Sequence, residues 1–196
     1  MIHGRATIVL LAALSAAATG EVLGPMARTQ QVLHRSHEIV VGPDDHRHKV
    51  LALNELLRTF LDTDAMGRKA MGRHLDGRPP GEVRAFLDVF HQLFVRTYVQ
   101  RLLLFEAPEF AYRQEAITAE QATVGTDIVT PKDRFAVDYL MRRAADGWHA
   151  TDILVEDVSL ADNFRSQFDA ALAKESFDSL MGRLQAKAGA PEEPAL

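Results

Sequence analysis

The chain has 196 residues, no cysteine, 47% hydrophobic residues and a formal net charge of −5. That length can bury one sizeable core, and the lack of cysteine excludes disulfides and thiol chemistry. The acidic balance, which becomes −6 if Arg5 is lost with the N-terminal segment, argues against a polyanion such as nucleic acid as partner.

The N-terminus reads as an export signal. His3 and Arg5 precede an apolar run at 6–14, and small residues at 15–18 offer a cleavage point, so residues 1–18 are expected to be a signal peptide. The apolar run falls short of the roughly 20 residues that span a bilayer, and a lipoprotein anchor would need a cysteine at the cleavage point. The expected product is a soluble exported protein with a single domain at 19–188. A disordered tail is expected at 189–196, which carries two prolines and two glutamates.

Helices dominate the first half. One is expected at 26–39 after Pro25, ended by Gly42-Pro43, and a second follows a cap at Asp44 or Asp45, with Val50, Leu53, Leu56, Leu57, Phe60 and Leu61. A short third helix, starting within 62–64 and ending near Asp76-Gly77, carries Ala65, Met66, Ala70 and Met71. A long helix is expected at 80–105. At about 100° per residue, Val83, Leu87, Phe90, Phe94, Tyr98, Leu102 and Phe105 share one arc, while Phe86, Leu93, Val99, Leu103 and Leu104 spread beyond it. A peripheral helix needs only one apolar stripe, so this one is expected between layers. Its pattern fits both a filled core and the wall of a ligand cavity.

Strands follow. Segments 112–117 and 122–129 read as the first two, and 135–141 alternates Phe135, Val137, Tyr139 and Met141 with the residues between them, as a half-buried strand does. Turns at 130–133 and 145–147 lead to a fourth strand from Trp148 to Val155. Ser159 can cap a helix in which Leu160, Phe164, Phe168 and Leu172 recur every four residues, and a last helix is expected at 176–187. The fold class is therefore α+β: an antiparallel sheet of about four strands against a helical N-terminal half and two C-terminal helices.

The strand-to-helix junction carries a pattern more specific than periodicity. Trp148, Ala150, Asp152, Glu156, Val158 and Ser159, followed by Asn163-Phe164-Arg165-Ser166-Gln167-Phe168, resemble the signature of the MlaC family, also called the toluene-tolerance substrate-binding family. The order of elements matches along most of the mature chain. Two positions differ: Phe164 stands where the family commonly has tyrosine, and Asp157 where it usually has glycine. Aspartate tolerates a left-handed turn better than most residues, so the junction geometry can survive. We read Arg165 and Asp152 as a structural pair fixing that junction.

The resemblance implies a soluble periplasmic carrier that takes a phospholipid from one membrane complex to another: an inner-membrane ABC transporter complex and an outer-membrane lipoprotein complex. Its acyl chains would lie in an apolar cleft between sheet and helices. An unshielded chain of about 16 carbons costs on the order of 13 kcal/mol in water, which such a cleft must offset. The candidate lipid-binding residues are Phe60, Met66, Met71, Phe90, Phe94, Tyr98, Leu102, Val137, Tyr139 and Ile153. Buried tyrosine hydroxyls need partners, and methionines suit chains of varied length. No cofactor, metal or catalytic group is implied. A polycyclic lipid such as a hopanoid is the alternative cargo.

Two other readings bear on the same residues. His34, His37 and Glu38, with His46 and His48 nearby, could suggest a metal site, but the spacing is not H-E-x-x-H, and Arg35, Arg47 and Lys49 oppose a cation. No serine lies in a G-x-S-x-G context. A non-catalytic module binding protein partners through an apolar surface is the third reading.

Overall fold

In a computed structural model of the protein, residues 23–104 and 109–190 are described. The expected signal, Phe105 and all but the first two residues of the expected tail lie outside them. The order is α1 (Pro25–Val41), α2 (His46–Phe60), α3 (Thr63–Met71), a 3-10 turn (Gly72–Leu75), α4 (Pro80–Leu104), β1 (Glu109–Thr118), β2 (Gln121–Val129), β3 (Arg134–Ala144), β4 (Gly147–Val155), β5 (Val158–Ser159), α5 (Leu160–Leu172) and α6 (Phe177–Gly189). No described helix is long and apolar enough to cross a membrane.

Local chemistry sets the helix starts. Asp45, Asp62, Ser159 and Ser176 each accept a hydrogen bond from the backbone N–H three residues on, at 2.9, 2.9, 3.0 and 3.2 Å. The last helix continues through Gly189, two residues beyond its expected end.

The five strands form one antiparallel meander in the order β1-β2-β3-β4-β5. The fifth, unanticipated strand is the two-residue β5, which returns beside Leu154 and Val155 before the chain turns into α5. The β4–β5 turn runs through Glu156 and Asp157 at φ 49° and 62°. Asp157 thus occupies a left-handed conformation, which aspartate tolerates better than most residues. Along the open edge of β4 the α2–α3 link substitutes for a strand: Leu61 bridges to Ala150, and the Asp62 N–H donates to the Ala150 carbonyl at 2.9 Å.

Helix α4 is the middle layer. Its Phe86, Leu87, Phe90, Phe94, Val95 and Val99 are all buried. One side turns toward the sheet, α1 and α2, while the other meets Phe164 and Phe168 of α5 through ring contacts of 5.4 to 6.4 Å. The broad apolar surface read from the sequence is used on both sides. Against α3 the approach is close: a Cβ on Gly67 would lie 2.9 Å from Leu87 and 3.0 Å from Phe90, so no larger residue fits without movement.

Candidate functional site

Between the sheet and α1, α2 and α4 lies a cavity of about 110 Å³. Its helical wall is Val32, Leu33, Ser36, Leu57, Phe60, Leu61, Phe94, Tyr98 and Leu102; Ile128, Val137, Tyr139, Ile153 and Val155 come from the sheet, and Leu160 closes it. Alternation along the strands puts these sheet residues on one face. No lining residue carries a charge. Phe60 and Phe94 are fully buried, whereas Tyr98, Leu102, Ile128, Ile153 and Val155 are half-buried and mark where the cavity approaches solvent.

The buried hydroxyls in this lining, on Ser36 and Tyr139, are satisfied within the protein. The Ser36 hydroxyl donates to the Leu33 carbonyl at 2.9 Å. Burial pushes the Tyr139 phenol far above its ordinary pKa, partly offset by its hydrogen bond with Thr126, so it stays neutral. Burial also raises Tyr98. Phe60 meets Tyr139 edge to face at 5.6 Å, and Phe94 lies 4.5 Å from Tyr98, ring to ring. Such a site offers chiefly apolar contact.

Of the sequence candidates, the structure gathers Phe60, Phe94, Tyr98, Leu102, Val137, Tyr139 and Ile153 around this cavity. Met66, Met71 and Phe90 lie elsewhere. The methionines are fully buried in α3, which contacts α4 and α5. Phe90 faces α5 and lines a separate groove of about 400 Å³ between α4, α5 and α6, which also takes in Phe94, Phe164, Phe168, Leu180 and Leu184. Phe94 borders both spaces. Sequence reasoning missed the α1 contribution of Val32, Leu33 and Ser36. Burial periodicity in α1 could flag them as inward, but not what they face. A larger open concavity of about 460 Å³ is lined in part by Thr118, Gln121, Thr123, Arg142 and Thr151, whose polar groups suit an acyl chain poorly.

Beside the cavity, β4 is fastened to α3 and α5 through Asp152, which is buried. One carboxylate oxygen accepts from Lys69 Nζ at 2.7 Å and Ser159 Oγ at 2.5 Å, and the other from the N–H groups of Ile153 at 2.8 Å and Ala161 at 3.2 Å. Lys69 also reaches Asp162 at 2.9 Å. Burial pulls the Lys69 ammonium down, but its hydrogen bonds to Asp152 and Asp162 outweigh this and hold it above its ordinary pKa. The expected Arg165–Asp152 pair does not form. Arg165 instead donates twice to the Lys69 carbonyl, at 2.9 and 2.6 Å, satisfying a carbonyl near the end of α3. Its guanidinium passes 3.3 Å from where a Cβ on Gly72 would sit, at φ 52°.

Two histidines of the metal reading are engaged on helix surfaces: His34 pairs with Glu38 at 3.2 Å and His48 with Asp45 at 2.9 Å. Among the described residues no three His, Asp or Glu side chains are grouped to hold a metal ion.

Comparison with known proteins places this geometry. The family model described as MlaC protein matches residues 27–186. A solved phospholipid-binding protein from Ralstonia solanacearum, determined in complex with a phospholipid, superposes with a TM-score of 0.75 at 21% identity, over 85% of this chain and 97% of that one.

Proposed function

The chain belongs to the MlaC family, and on that premise we propose that it is a periplasmic phospholipid carrier. It holds acyl chains in the cavity between the sheet and α1, α2 and α4, and shuttles lipid between an inner-membrane ABC transporter complex and an outer-membrane lipoprotein complex. The observation that carries this reading is the lining itself: fifteen residues from seven elements and the α2–α3 link enclose a space with no charged side chain. Further support comes from the Ralstonia solanacearum protein of the same fold, which was solved with a phospholipid bound.

The chemistry is that of a binding protein. Each buried methylene is worth about 0.8 kcal/mol, so shielding one long chain outweighs any single polar contact. No bond is made or broken. The cavity's 110 Å³ lies below the roughly 300–1,000 Å³ of ligand pockets, so loading requires the walls to part. Direction of transport then follows differences in binding free energy at the two membranes.

The test is extraction of the mature protein, exported to a bacterial periplasm, under denaturing conditions with mass analysis of the released lipid. About one phospholipid per chain is expected. A hopanoid would change the cargo, and a protein that emerges empty and takes up no lipid from vesicles would overturn the carrier reading in favour of a partner-binding module.

A further inference from the structure

We propose that Arg101, seated on the ring of Tyr98 where the cavity meets solvent, holds the phosphodiester of the bound lipid, so that the protein selects phosphorylated lipids over neutral ones with the same acyl chains. This rests on the carrier reading above.

A lipid whose chains fill this cavity cannot bring its phosphate inside, because the lining offers no charge and its buried hydroxyls, on Ser36 and Tyr139, are already bonded. The phosphate must stop at the open end, which Tyr98 and Leu102, one turn apart on α4, border together with Ile128, Ile153 and Val155 of the sheet. Arg101 stands immediately before Leu102, exposed, with its guanidinium carbon 5.3 Å from the Tyr98 ring centroid.

Three arginines adjoin a lining residue in sequence: Arg35 beside Ser36, Arg58 beside Leu57, and Arg101 beside Leu102. The first two are engaged, Arg35 with Glu38 and Arg58 with Glu55, both at 2.8 Å. Arg101 has no carboxylate within ion-pair distance among the described residues, and the tyrosine ring is its neighbour instead. A ring takes the face of a guanidinium and leaves its N–H edge free. That edge matches two phosphate oxygens at once, which a point charge such as lysine does not.

The experiment offers delipidated full-length mature protein vesicles containing equal amounts of dioleoyl phosphatidylglycerol and dioleoylglycerol, and reads the bound species by native mass spectrometry. Wild type is expected to carry the phosphatidylglycerol in about tenfold excess, the ratio that ~1.4 kcal/mol gives. Arg101→Ala should lower that excess to within about twofold, and Arg101→Lys should keep part of it. Any change in diacylglycerol uptake should be smaller than the change in phosphatidylglycerol uptake, and the protein should stay folded, since the Arg101 side chain is exposed. An unchanged ratio in Arg101→Ala, or equal uptake of both lipids by wild type, overturns this inference and leaves the carrier reading standing. Loss of the preference in millimolar inorganic phosphate would indicate a free-anion site and likewise overturn it. Uptake of neither lipid overturns both.

Discussion

Asp152 and Ile153 are neighbours on β4, yet they belong to regions held together by opposite means. Asp152 sits in a junction of directed bonds, where one buried carboxylate ties α3, β4 and α5 through Lys69, Ser159 and two backbone amides. Ile153 faces the cavity, whose walls meet by apolar contact. The described polar links from α1 to the sheet lie outside the lining: the Met26 N–H to Glu115 at 2.7 Å and the Thr29 hydroxyl to the Met141 sulfur at 3.5 Å. Directed bonds fix geometry, whereas dispersion contact is non-directional and can be re-formed around a guest. The frame is polar and the wall deformable, which suits a cavity that must enlarge to load.

Removing the centre of the frame should have the largest effect. Asp152→Ala leaves Ser159 and two amides without their acceptor and Lys69 with Asp162 as its remaining carboxylate, and should cost about 3–5 kcal/mol, lowering the thermal midpoint by on the order of 10 °C. At low temperature its lipid affinity should stay within about twofold of wild type. Wild-type stability with lost binding would move Asp152 into the binding site and erase the contrast between regions.

The converse change acts on the wall. Val137→Phe puts a ring into the cavity from β3, and overpacking should cost about 1–3 kcal/mol at most. Lipid uptake from vesicles should fall by at least about tenfold. Uptake equal to wild type would mean that chains bind elsewhere.

The turn joining the two regions gives a smaller, signed effect. Asp157 lies at φ 62°, so Asp157→Val should cost about 1–2 kcal/mol while Asp157→Gly is neutral or slightly stabilising, as read by chemical denaturation. A loss with glycine equal to that with valine would show that the aspartate side chain, not its backbone, matters.

The smallest expected effect is one of pH. His91 accepts from or donates to the Thr63 hydroxyl at 2.8 Å, and burial holds its pKa below the ordinary value. A histidine depressed in the folded state contributes stability that is complete above the unfolded value of about 6.5 and is lost as pH falls through the folded one. The thermal midpoint of wild type should therefore drop more between pH 7.5 and 5.5 than that of His91→Gln. Parallel curves would contradict this.

The contrast also explains what could be read from the sequence. Strand alternation puts Val137 and Tyr139 on one face, and candidate caps at Asp44 or Asp45 and at Ser159 mark helix starts, because these signals are local. The α4 arc containing Phe94, Tyr98 and Leu102 was legible as a broad apolar surface, yet Phe90 on the same arc turns to α5. A helix apolar on several sides has no periodic signal to say which side meets which layer. Met66 and Met71 lie away from the cavity for a related reason: α3 packs on α5 and, through Gly67, closely on α4, and both contacts depend on partners outside its own segment. Lys69 lies 83 residues from the carboxylate it serves, and nothing near it in sequence marks the role that was expected of Arg165.

The most direct test is a phospholipid with a photoreactive diazirine near the end of one acyl chain, loaded into the wild-type protein, irradiated and mapped by peptide sequencing. The cavity account predicts adducts on its lining, at Phe60, Val137 and Tyr139. Adducts confined to Leu180, Leu184 and Phe168 of the α4–α5–α6 groove would contradict it and transfer the lipid to the other side of Phe94.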